Sequence, residues 1–272
     1  MAHISHKLAP ALTASLSFAL SLALSLALSL GVSLALNLAP AMTKAGWAFA
    51  SRDEDGQSLH GKIVREALSS TLNTANLELV IRSLEEQARN KNEGESKLYG
   101  DTSLKSAVNF IDREQKKILN YAGDADVSPA GRYHCLKHFG ALLFAVQDFY
   151  SRSNYVEVQV QRMTEKLGKG AFDPYNIELA DWNNMHNAFK ENGTIAYAAA
   201  SQAKETADQG KVPLVSTTYY KVARELAVRE TSRQWELLET LIKRRYHDRA
   251  ITILAALKQA SCPAAEPDAL DN

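Results

Sequence analysis

The chain has 272 residues with 31 Lys+Arg, 31 Asp+Glu and a formal net charge of zero. Its first 50 residues hold only Lys7 and Lys44 as charges, leaving 29 basic against 31 acidic residues over 51–272, a net of −2. That balance excludes a polybasic nucleic-acid binder, since neutralising phosphates needs clustered positive charge, and 13 Gly and 7 Pro exclude a collagenous or disordered chain.

Leu8 to Met42 carries no charge and alternates Leu with small residues, behind the positive end set by Lys7. This is the order of a secretory signal, so residues 1–46 are predicted to be a signal peptide. Its end falls between 41 and 50, where Ala39-Pro40-Ala41, Thr43-Lys44-Ala45 and Ala48-Phe49-Ala50 offer small-x-small sites. The competing expectation is a membrane anchor, because about 20 apolar residues span a bilayer. Either way the body is expected outside the cytoplasm, secreted or periplasmic. Export makes a disulfide between the two cysteines, Cys135 and Cys262, an option beside two free thiols.

The body reads as helices. Ser58 is placed to cap a helix carrying Ile63, Val64, Ala67, Leu68 and Leu72. A second begins near Asn76, turns Leu77, Val80, Ile81, Leu84 and Ala88 inward, and stops in the polar run 89–96. A third spans roughly Thr102 to Tyr121, closed by Gly123. Ser128-Pro129 pairs a cap with proline at the first helical position, opening an unbroken helix to about Ser153. Between Phe139 and Val146 that helix is apolar nearly all round, which predicts the buried centre of the fold. A short helix to Leu167 and a Gly/Pro loop follow. Weaker helical text runs from Leu179 to Asp208, favoured by the Ala-rich stretch 195–203. A strong helix from near Ser216 carries Tyr220, Ala223, Leu226, Ala227, Leu237, Leu238 and Leu241, and a last one ends near Ala260. No strand alternation or repeat is present. The expectation is an all-α domain over 47–262 with a loose tail over 263–272.

Ala145 to Val158 reads AVQDFYSRSNYVEV. It resembles the signature of the heterokaryon-incompatibility C (Het-C) family, with Gln147, Asp148, Phe149, Tyr150, Ser153, Asn154, Val156 and Glu157 on matching positions. That family is similar in fold to the secreted zinc-dependent phospholipases C. In those enzymes an N-terminal Trp precedes a zinc-binding His helix, as Trp47 precedes His60 in SLHGKIVREAL here. A softer echo runs from Tyr219 to Thr231, where Tyr stands in the place of an expected His.

The resemblance implies zinc held by imidazole and carboxylate ligands, with a metal-bound water attacking a phosphodiester. It nominates Asp148 as catalytic and metal-ligating residue, and His60, Trp47, Asp101 (in LYGDTS) and His186 (in WNNMH) as further ligands. Trp47 could chelate through its amine only if cleavage falls after Gly46; otherwise it is an interfacial aromatic. The family's central helix presents His-x-x-x-Asp-x-x-x-His on one stripe, since residues four apart share a helix face. Here that stripe is Phe144, Asp148, Arg152. Phe cannot coordinate a metal and Arg has no lone pair to give. His134 and His138 cannot substitute, because they lie about 21 and 15 Å from Asp148 along the helix. Two functions follow as expectations. One is a Het-C-like protein that binds phospholipid, a membrane surface or a partner protein, with Arg152 supplying the charge a metal would supply. The other is a zinc-dependent phospholipase C-like hydrolase.

Overall fold

The computed structural model describes residues 57–92, 104–167, 173–182, 217–263 and 265. Among them are seven α-helices and no β-strand: α1 (Leu59–Leu68), α2 (Thr74–Asn92), α3 (Leu104–Ala122), α4 (Pro129–Arg152), α5 (Tyr155–Leu167), α6 (Tyr219–Tyr246) and α7 (Ala250–Gln259). The 3₁₀ turns Pro174–Asn176 and His247–Arg249 link parts of this set. None of the described helices is long and apolar enough to cross a membrane. The leader 1–46 and the Ala-rich stretch 195–203 lie outside the described residues.

The starts of α1 and α4 are set where the capping residues predict. Ser58 Oγ accepts from the Gly61 amide at 3.0 Å and Ser128 Oγ from the Gly131 amide at 3.1 Å. Each bond satisfies an amide that the first helical turn leaves without a partner. Thr218 caps α6 in the same way through the Lys221 amide. That helix stops at His247, whose φ of 46° lies in the left-handed region.

Helix α4 is the centre. It packs on α2, α3 and α6, and Leu136, Leu142, Leu143, Val146, Phe149 and Tyr150 are essentially inaccessible. Each such aliphatic or aromatic burial stabilises by about 1.5–3 kcal/mol against exposure. The approach to α2 depends on Gly140: a Cβ there would strike the Val80 carbonyl oxygen and come within 2.9 Å of Ser83 Cβ. The front half of α4 shares one core with α2, α3 and α7. Its rear, through Phe149 and Tyr150, enters a second core with α5, α6, Ile177 and Ala180.

One expectation needs correction. The helical text beginning at Leu179 is not helical over Leu179–Trp182. Side chains from three helices take those backbone groups instead: Tyr155 Oη donates to the Glu178 carbonyl, Tyr150 Oη accepts from the Ala180 amide, and Arg233 donates to the Ala180 carbonyl. Of the adjacent apolar pair carried by α6, Leu237 is 38% exposed and Leu238 takes the core position.

Candidate functional site

The stripe Phe144, Asp148, Arg152 faces inward near the end of α4, and all three residues are buried. Arg152 Nε lies 3.0 Å from Asp148 Oδ1, with side chains 7% and 4% exposed. The Nε hydrogen is not aimed along a hydrogen-bond line, so the attraction is Coulombic. It acts between groups largely removed from water, where opposite charges at this separation attract by about 5–6 kcal/mol at an effective dielectric near 20.

His60 reaches the same region from α1. It is 2% exposed, and its ring tilts against Phe144 at 5.3 Å between centroids. His60 Nδ1 lies 2.8 Å from Gln147 Oε1, which as a carbonyl oxygen can only accept, so Nδ1 carries the proton. Gln147 Nε2 donates to Thr231 Oγ1 at 3.0 Å, and Thr231 donates to the Ala227 carbonyl at 2.8 Å. A polar relay thus runs from α1 through α4 to α6.

A second buried polar knot adjoins it. Glu230 is fully buried and accepts from Tyr150 Oη at 3.0 Å, Trp182 Nε1 at 2.9 Å, Gln234 Nε2 at 2.7 Å and Arg233 Nη2 at 2.6 Å. Burial, helped by the Glu230 charge, pushes the Tyr150 phenol well above its ordinary range, so Tyr150 stays a donor. Arg229 and Arg233, one turn apart on α6, hold the carbonyls of Tyr175, Ile177 and Ala180. These contacts fasten 175–182 across the second core.

The structure therefore brings together two of the nominated ligands' neighbourhoods, those of His60 and Asp148. Trp47, Asp101 and His186 lie outside the described residues. Among the described residues no three His, Cys, Asp or Glu side chains converge to hold a metal ion. Within the described stripe, Phe144 and the Arg152 guanidinium have no lone pair to offer a metal ion, and the guanidinium lies on the Asp148 carboxylate. His134 and His138 form a separate surface feature. Tyr121 stacks on both at 4.9 and 5.5 Å, and His138 Nδ1 lies 2.7 Å from Glu114 Oε2.

Glu230 and its donors had no place among the candidate residues. Their signal was present: Glu230, Thr231 and Gln234 continue the apolar face begun by Leu226 and Ala227, and polar residues on a buried face need partners. The partners lie 48 and 80 residues away, at Trp182 and Tyr150. Comparison with protein-family models, curated proteins and solved structures finds no match to this chain.

Proposed function

We propose that this chain is an exported, Het-C-like helical binding protein in which an internal ion pair stands where a metal centre would stand. In this account it engages a phospholipid surface or a partner protein and does not turn over a substrate. The observation that supports it is the Asp148–Arg152 pair, at 3.0 Å and nearly excluded from water. A guanidinium on a carboxylate neutralises it without an ion, and Phe144 fills the volume beside it. The resemblance over Ala145–Val158 supplies the family, and the apolar leader before residue 47 supplies export.

One observation favours the alternative, a zinc-dependent phospholipase C-like hydrolase. With its Nδ1 proton donated to Gln147, a neutral His60 would present its lone pair at Nε2, the arrangement metal-bound histidines adopt.

Melting the purified chain with chelator and with added zinc separates the two, alongside a chromogenic phosphocholine ester assay. The binding protein shows no chelator-dependent melting and no zinc-dependent hydrolysis, and it co-sediments with vesicles or a partner. A chelator-induced drop of many degrees, restored by zinc together with turnover, would establish the hydrolase instead.

A further inference from the structure

Among the described residues, two aliphatic side chains stand out from the rest of the surface. Val127, before α4, is 75% exposed and Ile251, in the first turn of α7, is 79% exposed. The other three exposed large hydrophobics, Tyr121, Tyr175 and Leu237, reach only 37–40%. Asp126 joins the two outliers. Its Oδ1 accepts from Arg249 Nη2 at 2.7 Å and its Oδ2 from Thr252 Oγ1 at 3.0 Å. Val127 follows Asp126 and Ile251 precedes Thr252, so their α-carbons are at most about 17 Å apart. His247, the described non-glycine residue with a left-handed φ of 46°, turns the chain between α6 and α7 at this same corner.

The corner is held firmly. Arg249 also donates to the Gly123 carbonyl at 2.8 Å, Arg245 donates to Asn120 Oδ1 at 3.2 Å, and Tyr246 Oη donates to the Leu119 carbonyl. Tyr246 lies so close over Gly123 that a Cβ there would come within 2.9 Å of its hydroxyl. These contacts sustain the strained turn at His247, and a side chain carried on fixed backbone loses little further freedom on binding. The last turn of α6 adds exposed Lys243, Arg244 and Arg245. Arg249 is matched by Asp126, and Glu239 is engaged by Lys258 at 2.6 Å, with Lys243 at 3.6 Å. That leaves Lys243, Arg244 and Arg245 against exposed Asp124 and Asp248, a positive balance. Protein interfaces are anchored mainly by Trp, Tyr and Arg seated in pockets, with Val under-represented. Protruding Val and Ile beside cations suit a yielding acyl layer beneath phosphates instead.

We propose that this corner is the surface by which the protein docks on an anionic phospholipid bilayer. Val127 and Ile251 enter the boundary between head groups and acyl chains, and Lys243, Arg244 and Arg245 lie against the phosphates. The inference rests on the phospholipid arm of the function proposed above and names the face that carries it. It is independent of the Asp148–Arg152 pair, because none of its residues belongs to that stripe.

Vesicles of phosphatidylcholine with and without phosphatidylglycerol, mixed with the full chain, test this. The Val127→Ser/Ile251→Ser variant should co-sediment at least about tenfold more weakly than the parent. The Lys243→Gln/Arg244→Gln variant should lose about tenfold on phosphatidylglycerol vesicles and under about twofold on phosphatidylcholine alone. All the substituted positions are exposed, so each variant should melt within about 2 °C of the parent. Ile251→Trp supplies a local reading. Its added emission should shift to the blue on vesicles and be quenched by brominated acyl chains, even where another part of the chain also holds the vesicle. An Ile251→Trp protein that binds without added quenching, or serine and glutamine variants that bind like the parent, would overturn the corner and leave the phospholipid reading standing. A parent that binds neither kind of vesicle would overturn both. Loss of a captured protein partner in the serine variant, with vesicle binding unchanged, would overturn the membrane assignment and give the corner to that partner.

Discussion

Removing the Arg152 guanidinium tests whether the ion pair stands in for a metal. In the folded protein Asp148 and Arg152 are 4% and 7% exposed at the side chain, with Nε 3.0 Å from Oδ1. Arg152→Ala keeps the carboxylate in its buried position and takes away the cation against it. Deleting one partner of a buried pair costs about 3–5 kcal/mol, whereas an exposed pair costs under about 1. For a body of this size, 1 kcal/mol corresponds to roughly 2–4 °C in melting temperature, so a drop of about 6–20 °C is expected. Asp148→Asn in the Arg152→Ala background removes the charge and should recover much of the loss, giving a coupling of at least about 2 kcal/mol in the double-mutant cycle. Urea denaturation of the four proteins, each with and without chelator, measures it. A single-variant cost under about 1 kcal/mol, or a wild-type melting point that falls with chelator, would refute the reasoning.

Glu230→Ala should destabilise by about 3–5 kcal/mol, read by urea denaturation, because it leaves the donors of Tyr150, Trp182 and Gln234 buried around a lost acceptor. Gly140→Ala should cost about 2–3 kcal/mol in the same assay, since the new methyl group meets the Val80 carbonyl and Ser83 across the α2–α4 contact. For Glu114, burial pushes the carboxyl up, but hydrogen bonds from His138 and Lys117 outweigh it and hold the group below its ordinary range. A depressed carboxyl stabilises above its unfolded pKa and loses that contribution as pH falls through the folded value. The stability deficit of Lys117→Met should therefore be largest at neutral pH and shrink as acid protonates Glu114, which denaturation across an acid pH series compares with neutral pH.

The parts of the fold legible in sequence are those decided within one or two helical turns. Ser58 and the Ser128-Pro129 pair declare helix starts because a cap acts over three residues, and each caps the predicted helix. The centrality of α4 was readable because a helix apolar on every side can only be buried. The Asp148–Arg152 pair was readable for the same local reason, the four-residue spacing. Residues 178–180 were not. Leu179 and Ala180 suit a helix by propensity, but Tyr150, Tyr155 and Arg233 compete for their backbone groups from positions 23 to 53 residues away. Glu114 beneath His138 was equally hidden, because two helices meet there whose register only the packed bundle defines.

The polar interior of the rear core follows from how its helices must meet. Helix α4 leaves the apolar front core at Val146 and then carries Gln147, Asp148, Ser151 and Arg152 into buried positions. Such groups are tolerated only where each finds a partner, since an unpaired buried polar group costs about 1–3 kcal/mol. The partners come from different elements: His60 from α1, Thr231 and Glu230 from α6, and Trp182 beyond the 3₁₀ turn. Sliding α6 along α4 by one turn would break the Gln147–Thr231 and Tyr150–Glu230 bonds together, whereas apolar burial carries no such directional demand. The polar contacts therefore fix a register that hydrophobic burial alone leaves loosely specified. A metal ion held between helices would impose the same constraint through its ligands. Here the bonds of His60 to Gln147, Gln147 to Thr231 and Tyr150 to Glu230 impose it between α1, α4 and α6.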